Sequence, residues 1–410
     1  MANTAPKVAA EERQEAPEAI DEKAEALATQ MRKSKHLIVF TGAGISTSAG
    51  IPDFRGPEGV WTLRAQGRRR ADAVDTLQAV PTLTHMALVE LQNRGMLKYL
   101  ISQNCDGLHR RSGILPDKIS ELHGNNNREQ CRDCGKEYIR DFRAVATYEK
   151  TVHDHRTGRK CARCGGTLVD SIVNFGEALP AEALRPPRTC ASEIPEAVGR
   201  RRRAALAICN LQETPLDGLA RLRVRARADD LMRRAMARLG LPVPPFVLRR
   251  RLAVRVEPDA PPATHRQLRV SGLDVDGTPA TFLHSVKLEY NRRVARAEPF
   301  VIQLRGDLDP GAQLKLVLEF MGHYGEPNLD LTYEYGGDGA DAQALYLLEY
   351  NPQTGEWRTS RLESLDADGD GTAAAAAAAQ EEDAGGVSTR SETLPNAVAN
   401  RPAPEVIVID

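Results

Sequence analysis

The chain has 410 residues, a mass of 44.9 kDa and a formal net charge of −1, more than one ordinary hydrophobic core takes up, so two packed domains with unpacked ends are expected. Apolar residues make up 41% and charged residues 27%, and no apolar run approaches the roughly 20 residues that cross a bilayer, which excludes a helical membrane protein. The first thirty residues have no apolar stretch behind a basic start and are not expected to act as a secretory signal. The seven cysteines are therefore expected to be intracellular thiols or metal ligands rather than a disulfide framework.

In chain order, residues 1–23 are Ala, Glu, Pro and Lys with no sustained apolar face and are expected to form a disordered arm. His36-Leu-Ile-Val-Phe40 is a short apolar run that stops at Thr41-Gly42-Ala43-Gly44, the pattern of a buried parallel strand opening into a glycine loop. Thr84–Asn93 has helical spacing, Gly95 breaks it, and Leu97–Ser102 reads as the next strand. The alternation implies an α/β fold, a doubly wound Rossmann-like parallel sheet, whose ligands sit at the carboxyl ends of its strands. A cysteine-paired stretch, about residues 128–167, interrupts it as an inserted zinc-binding module. Leu168–Phe175 returns to strand character, Ala205–Cys209 is another strand and Asp229–Leu239 a closing helix. Leu241-Pro-Val-Pro-Pro245 cannot continue that helix and ends the first domain, residues 24–245.

From 246 to 362 the pattern changes to strands around Leu268–Val270, Phe282–Tyr290, Phe300–Leu304, Leu314–Phe320, Leu329–Tyr335 and Ala344–Tyr350, separated by Gly, Asp, Pro and Asn. Six strands at this spacing predict a separate, mainly-β, sandwich-like antiparallel domain. Residues 363–410 hold an Asp/Gly stretch, an alanine run from Ala373 to Ala379 and an acidic segment, and are expected to be a low-complexity tail without packed structure. Basic residues cluster at Arg200–Arg203 and Arg249–Arg251.

Cys131-x-x-Cys134 and Cys161-x-x-Cys164 can place four thiolates in a tetrahedron around Zn with no open position, so the metal is expected to be structural. Cys105, Cys190 and Cys209 fall outside this pattern and are expected to be incidental. The glycine loop Gly42–Thr47 follows a strand and can present backbone N–H groups to a phosphate, although it lacks the full G-x-G-x-x-G spacing and an empty tight turn would look similar. Pro52-Asp53-Phe54-Arg55-Gly56, Gln103-Asn104-Cys105-Asp106 at the end of the second strand and His123-Gly124 after a third complete a polar set where such a sheet puts its ligand.

These motifs, in this order, resemble the sirtuin family of NAD-dependent protein deacylases. Pro81-Thr-Leu-Thr-His85, Ser102–Leu108, Ile119–Asn125, Thr157-Gly158-Arg159 and Asn174-Phe-Gly-Glu177 resemble a branch with nuclear members. The resemblance covers roughly Ala24–Pro245 and leaves the β region unaccounted for. It implies an NAD pocket formed by Gly42, Ala43, Gly44, Thr47, Asp53, Phe54, Arg55 and Trp61, with Gln103, Asn104 and Asp106 at the nicotinamide end and Asn210 and Gln212 at the adenosine end. His123 would be the general base, and Val173, Phe175, Gly176 and Glu177 would pair with an extended substrate peptide. Implied products are nicotinamide, deacylated lysine and O-acyl-ADP-ribose; implied partners are an acyl-lysine protein, a histone or other nuclear protein, and chromatin. The implied location is nuclear, with cytoplasmic as the runner-up.

Two departures bear on activity. Asn126-Asn127-Arg128 stands where the family has larger apolar residues. Ala178–Arg203 contains Pro180, Pro186, Pro187 and Pro195 and lacks the further strand and Gly-Ser-Ser loop that hold the NAD ribose and phosphates in the family. One sheet strand is therefore expected to be missing, with NAD binding and deacylation impaired. The alternatives are a catalytically dead sirtuin-like scaffold and a mono-ADP-ribosyltransferase.

Overall fold

The computed structural model describes residues 11–68, 74–145, 153–174, 176–180, 205–258, 266–304, 308–337, 343–365 and 405–409. The chain enters through helix α1, Pro17–Lys33, which has Pro at its start, Glu18 in the first turn and Arg32 and Lys33 in the last, matching the helix dipole. Strand β1, Leu37–Thr41, and helices α2, Val60–Ala65, and α3, Leu83–Asn93, follow. Then come β2, Leu97–Ser102, α4, Leu108–Ser112, and β3, Ile119–Glu121. After an insertion the sheet resumes with β8, Ala205–Cys209, β9, Leu222–Val224, and helix α5, Ala228–Leu239.

The insertion holds β4, Arg128–Cys131, β5, Glu137–Arg140, β6, Arg156–Lys160, and β7, Thr167–Asp170, in the order β5-β4-β7-β6. The β region consists of β10, Leu248–Pro258, β11, Arg266–Leu273, β12, Ala280–Thr281, β13, Leu283–Leu288, β14, Arg293–Ala295, β15, Phe300–Gln303, β16, Gln313–Phe320, β17, Leu329–Glu334, β18, Gln343–Asn351, and β19, Glu356–Leu362. Two antiparallel sheets, β15-β11-β10-β18-β19 and β14-β13-β16-β17, enclose one apolar core of Leu252, Val254, Leu268, Val286, Leu316, Leu318, Leu348 and their neighbours. That is the expected sandwich, with β10, β14 and β19 as strands the alternation had not marked.

Among the described residues the main sheet has six strands, all parallel, in the order β3-β2-β1-β20-β8-β9, where β20 is Glu405–Ile409. This corrects the expectation of an unpacked tail after 362. Ile407 and Ile409 join the helix-side core with Leu37 and Val39 of β1, Ala207 and Cys209 of β8, and residues of α1, α3 and α5. Val406 and Val408 pack on the opposite face with Leu206 and Ile208. A Val-Ile-Val-Ile run buried on both faces is the composition of an internal parallel strand. The crossover expected in 178–203 lies outside the described residues from 181 onward, as do Phe175, Cys190, the Arg200–Arg203 cluster and the alanine run.

The arm is also packed from Glu11 onward rather than disordered. Arg13 and Glu15 donate backbone N–H groups to the carbonyls of Leu211 and Arg225, both at 2.9 Å, and Ile20 is buried. Asp21 pairs with Arg234 at 2.8 Å and Arg238 at 2.6 Å, holding α1 on α5. The β region is docked against the first domain: β12 pairs in parallel with β5, Arg110 meets Asp274 at 2.5 Å, and Tyr324 donates its hydroxyl to the carbonyl of Ala79 at 2.9 Å. The Arg249–Arg251 cluster is consumed by the fold, with Arg249 on Glu349, Arg250 on Asp141 of the insertion, and Arg251 buried.

Leu100 is fully buried in the centre of β2, whereas Leu219 is 59% exposed. Leu100→Ala is expected to cost about 2–5 kcal/mol and Leu219→Ala less than about 0.5 kcal/mol, measured by chemical denaturation.

Candidate functional site

The carboxyl ends of β1, β2, β3 and β8 carry the candidate residues. At the end of β1 the chain turns through two short 3-10 segments, Ala43–Ile45 and Thr47–Ala49. Their shape is fixed from below. Asn104 donates its side-chain N–H to the carbonyl of Gly42 at 3.0 Å and lies 3.3 Å from Ser46 Oγ. Ser46 donates its hydroxyl to Asp106 Oδ2 at 2.7 Å, and the other Asp106 oxygen accepts the N–H of Leu108 at 2.9 Å. Asp106 and Ser46 are buried, so their polar atoms need these partners. Asn104 and Asp106 thus anchor the glycine loop as well as standing at its edge, and Ser46 is a member of the site that the motif analysis did not single out.

His123 is half-buried at the end of the β3 turn. Its Nδ1 lies 2.8 Å from the carbonyl oxygen of Gln103. A carbonyl only accepts, so Nδ1 carries the proton and Nε2 is left able to take one. The carbonyl of His123 accepts the N–H of Val173 at 3.1 Å, which places Val173 beside the backbone of His123. Between them Gly124 has φ of 81°, and a Cβ there would lie 1.8 Å from the Ser171 carbonyl oxygen, so only glycine permits this approach. Cys105 is held at the carbonyl of His123, and burial pushes its thiol up to about 12. Burial does the same to Cys209. Neither belongs to the four-cysteine cluster.

Further out, Phe54 is 50% exposed, its ring 5.1 Å from that of Trp61 with Arg55 over the indole at 5.6 Å. Asp53 closes the turn by accepting the N–H of Gly56 at 2.5 Å. Thr47 caps its own turn on Gly44. Asn210 and Gln212 stand at the end of β8, where Asn210 accepts the N–H of Gln212 at 2.8 Å. Asn127, one of the departing residues, is buried, donating to the carbonyl of Phe142 and facing Arg111, and Arg128 reaches Glu121 at 3.5 Å.

The four sulfurs of Cys131, Cys134, Cys161 and Cys164 lie within 4.8 Å of one another. Cys131 and Cys164 are 3.5 Å apart and Cys134 and Cys161 3.7 Å, close to the edge of about 3.8 Å that a tetrahedron with Zn–S bonds of about 2.3 Å requires. Each pair is built by the same turn. Gly135 donates to the carbonyl of Cys131 and Gly165 to that of Cys161, with φ of 69° and 73°. The cluster fits zinc, and a closed four-sulfur set makes that zinc structural.

The Sir2 family model matches residues 66–194. The NAD-dependent protein deacetylase SRT1 of Oryza sativa subsp. indica is 37% identical over 334 residues, 75% of this chain and 68% of the relative. The chain belongs to the Sir2 family. The SRT1 protein of Arabidopsis thaliana is 42% identical over 55% of this chain and 51% of that protein. Sirtuin-7 of Homo sapiens is also 42% identical, over 56% of this chain and 63% of that protein. A solved structure titled "Sir2-p53 peptide-NAD+" is 30% identical, covering 52% of this chain and 98% of that one with a TM-score of 0.37. Residues 24–245 are 222 of 410, or 54% of the chain, so the rice match at 75% necessarily reaches outside that sirtuin region.

Two histidine groups of this sirtuin were missed because nothing in the sequence pairs them. His85 and His109 lie with ring centroids 4.6 Å apart and planes tilted by 50°, bonded to Thr82 and Thr41. Burial pushes His85 down to about 3 and His109 well below the usual imidazole value, so both are neutral structural groups. His155 bridges two carboxylates, Asp170 at 2.8 Å and Glu177 at 2.9 Å, and His153 meets Glu177 at 2.8 Å. The segment containing Glu177 is thereby tied to the zinc module.

Burial works to lower the His155 pKa, but the bonds from Glu177 and Asp170 outweigh it and leave it raised. Burial works to raise that of Glu177, which its bonds from His155, the Asn174 N–H and His153 push down to about 2. A raised histidine stabilises the fold while protonated and ceases to do so as pH rises through its folded pKa; a depressed carboxylate loses its contribution as pH falls toward about 2. In denaturant titrations from about pH 5 to pH 9, stability lost on raising the pH is expected to be smaller in His155→Gln than in the unmodified chain. Metal analysis of reduced protein should find one zinc per chain, and Cys161→Ser should lose it together with the slow amide exchange of β4 to β7.

Proposed function

We propose that this chain is an NAD-dependent protein-lysine deacylase of modest turnover. The reading is carried by one observation: Gly42–Thr47, Gln103–Asp106 and His123 meet at one end of the parallel sheet, with Val173 bonded to the backbone of His123. The names of the relatives, NAD-dependent protein deacetylases, support the same class.

The donor set fits a dinucleotide. Gly44 leaves the backbone of the loop open to a phosphate, Phe54, Arg55 and Trp61 offer an aromatic and cationic wall, and Asn210 and Gln212 lie at the far end. Bound there, NAD supplies a ribose carbon that exchanges nicotinamide for the carbonyl oxygen of an acyl-lysine. Asn104 and Asp106 keep the loop in place. His123, its Nδ1 proton fixed on Gln103, presents Nε2 as the general base for a ribose hydroxyl. Val173–Glu177 gives an extended peptide a backbone to pair with, and the histidines on Glu177 hold that segment. The stretch 178–203 carries no Gly-Ser-Ser donors, so NAD affinity is expected to be weak. The substrate class is an acyl-lysine protein, nuclear and chromatin-associated by likeness to sirtuin-7; Arg249 and Arg250, paired within the fold, give no support to that location.

His123→Ala is expected to retain zinc and NAD binding, measured by calorimetry, while deacylation of an acetyl-lysine peptide falls about 10²–10⁴-fold. Turnover within a few-fold of the unmodified chain would make His123 structural, and absence of NAD binding by the unmodified, zinc-loaded chain would leave a sirtuin-like binding module.

A further inference from the structure

We propose that Glu405–Ile409 is a complementing strand: the nucleotide-binding sheet is incomplete without it, and its docking sets the spacing and shape of the NAD pocket. The proposal rests on the NAD site assigned above for its functional half and on sheet topology alone for its structural half.

β1 and β8 do not pair with each other. Each pairs with β20 in parallel register, Leu37–Thr41 against Glu405–Ile409 on one side and Ala205–Cys209 on the other. The two strands that β20 separates are also those that deliver the two halves of the pocket. Thr41 is followed directly by the glycine loop and Cys209 by Asn210, and Ile409 is the register partner of both Thr41 and Cys209. With a strand between them, β1 and β8 lie about 10 Å apart; closed on each other they would be about 4.8 Å apart. One ligand cannot fit the two halves at both spacings.

A second contact ties the strand to the loop itself. Gly42 donates its N–H to the carbonyl of Ile409 at 3.0 Å, while Asn104 holds the Gly42 carbonyl. The glycine at the head of the loop is therefore clamped by β20 through its N–H and by Asn104 through its carbonyl. The side chains agree with the register on both faces, Ile407 and Ile409 toward the helices and Val406 and Val408 toward the opposite core. A slip of one residue would exchange the two sets. In chain order the strand arrives nearly 200 residues after β8, so the sheet is closed by a segment that the rest of the domain does not contain.

The experiment compares the full chain, a chain shortened to residues 1–404, the shortened chain with a synthetic peptide of residues 403–410, and the full-length variant Ile407→Pro, which removes one ladder donor from the middle of the strand. Amide exchange is read at Gly42 and at residues 406–409, zinc content reports the module, and calorimetry reports NAD. Slow exchange at 406–409 in the full chain is expected, with Gly42 becoming fast on shortening and slow again with peptide. NAD affinity is expected to fall about tenfold or more on shortening and in Ile407→Pro, because only the fraction of chains with a formed pocket binds, and to recover with peptide. Fast exchange at 406–409 in the full chain, or measurable NAD binding of equal affinity in all four samples, overturns the proposal. Should the shortened chain not fold, exchange at 406–409 and the Ile407→Pro result decide it alone. Should the full chain bind no NAD while 406–409 stay protected and Gly42 responds, the deacylase reading fails and the complementing strand stands.

Discussion

Every backbone N–H and C=O on both edges of an internal parallel strand has to find a partner, and each one left buried and unpaired costs about 1–3 kcal/mol. Much of this molecule answers to that demand at β1. On one side β1 pairs with β2, and on the other with Glu405–Ile409. The carboxyl end of β1 is the start of the glycine loop, so what satisfies its edges also aims that loop. The helices α1, α3 and α5 pack on the sheet through a single apolar core to which β1, β20 and β8 each contribute.

The polar groups at the top of the sheet are arranged in two tiers. The lower tier lies at or below the loop and is largely hydrogen-bonded: Asn104 and Asp106 hold backbone, Ser46 meets Asp106, and the neutral His85 and His109 meet Thr82 and Thr41. The upper tier, His123, Phe54, Arg55 and Trp61, is partly open. This division lets a fixed frame orient a few groups that face the opening. The zinc module serves the same frame at a distance, since His155 and His153 reach from it to Glu177, and the β region supports it through the pairing of β12 with β5 and of Arg250 with Asp141.

Local signals in the sequence were read well and long-range ones were not. The cysteine pairs were legible because each site is a four-residue turn closed by a glycine, and the strands ending at Thr41, Ser102 and Cys209 because short apolar runs followed by polar residues mark the ligand edge of such a sheet. The arm shows little sign of its packing in sequence because the apolar face of α1, Ile20, Ala24, Leu27 and Met31, begins inside a stretch whose average composition is charged. Glu405–Ile409 is obscured in the same way, five strand residues following a low-complexity stretch. Residues 178–203 lack the family's further strand, and a strand supplied from the far end of the chain leaves no mark near that gap. The bridging of Glu177 by His153 and His155 had no signal, as the carboxylate lies more than twenty residues from both histidines in sequence and meets them only in the folded state.

The most direct test of the account is the product balance of the full, zinc-loaded chain given NAD and an acetyl-lysine peptide, followed by mass spectrometry. The account predicts that the peptide loses its acetyl mass and that one nicotinamide appears for each lysine freed. A peptide that gains the mass of ADP-ribose, or nicotinamide released with the acetyl group still in place, would contradict it.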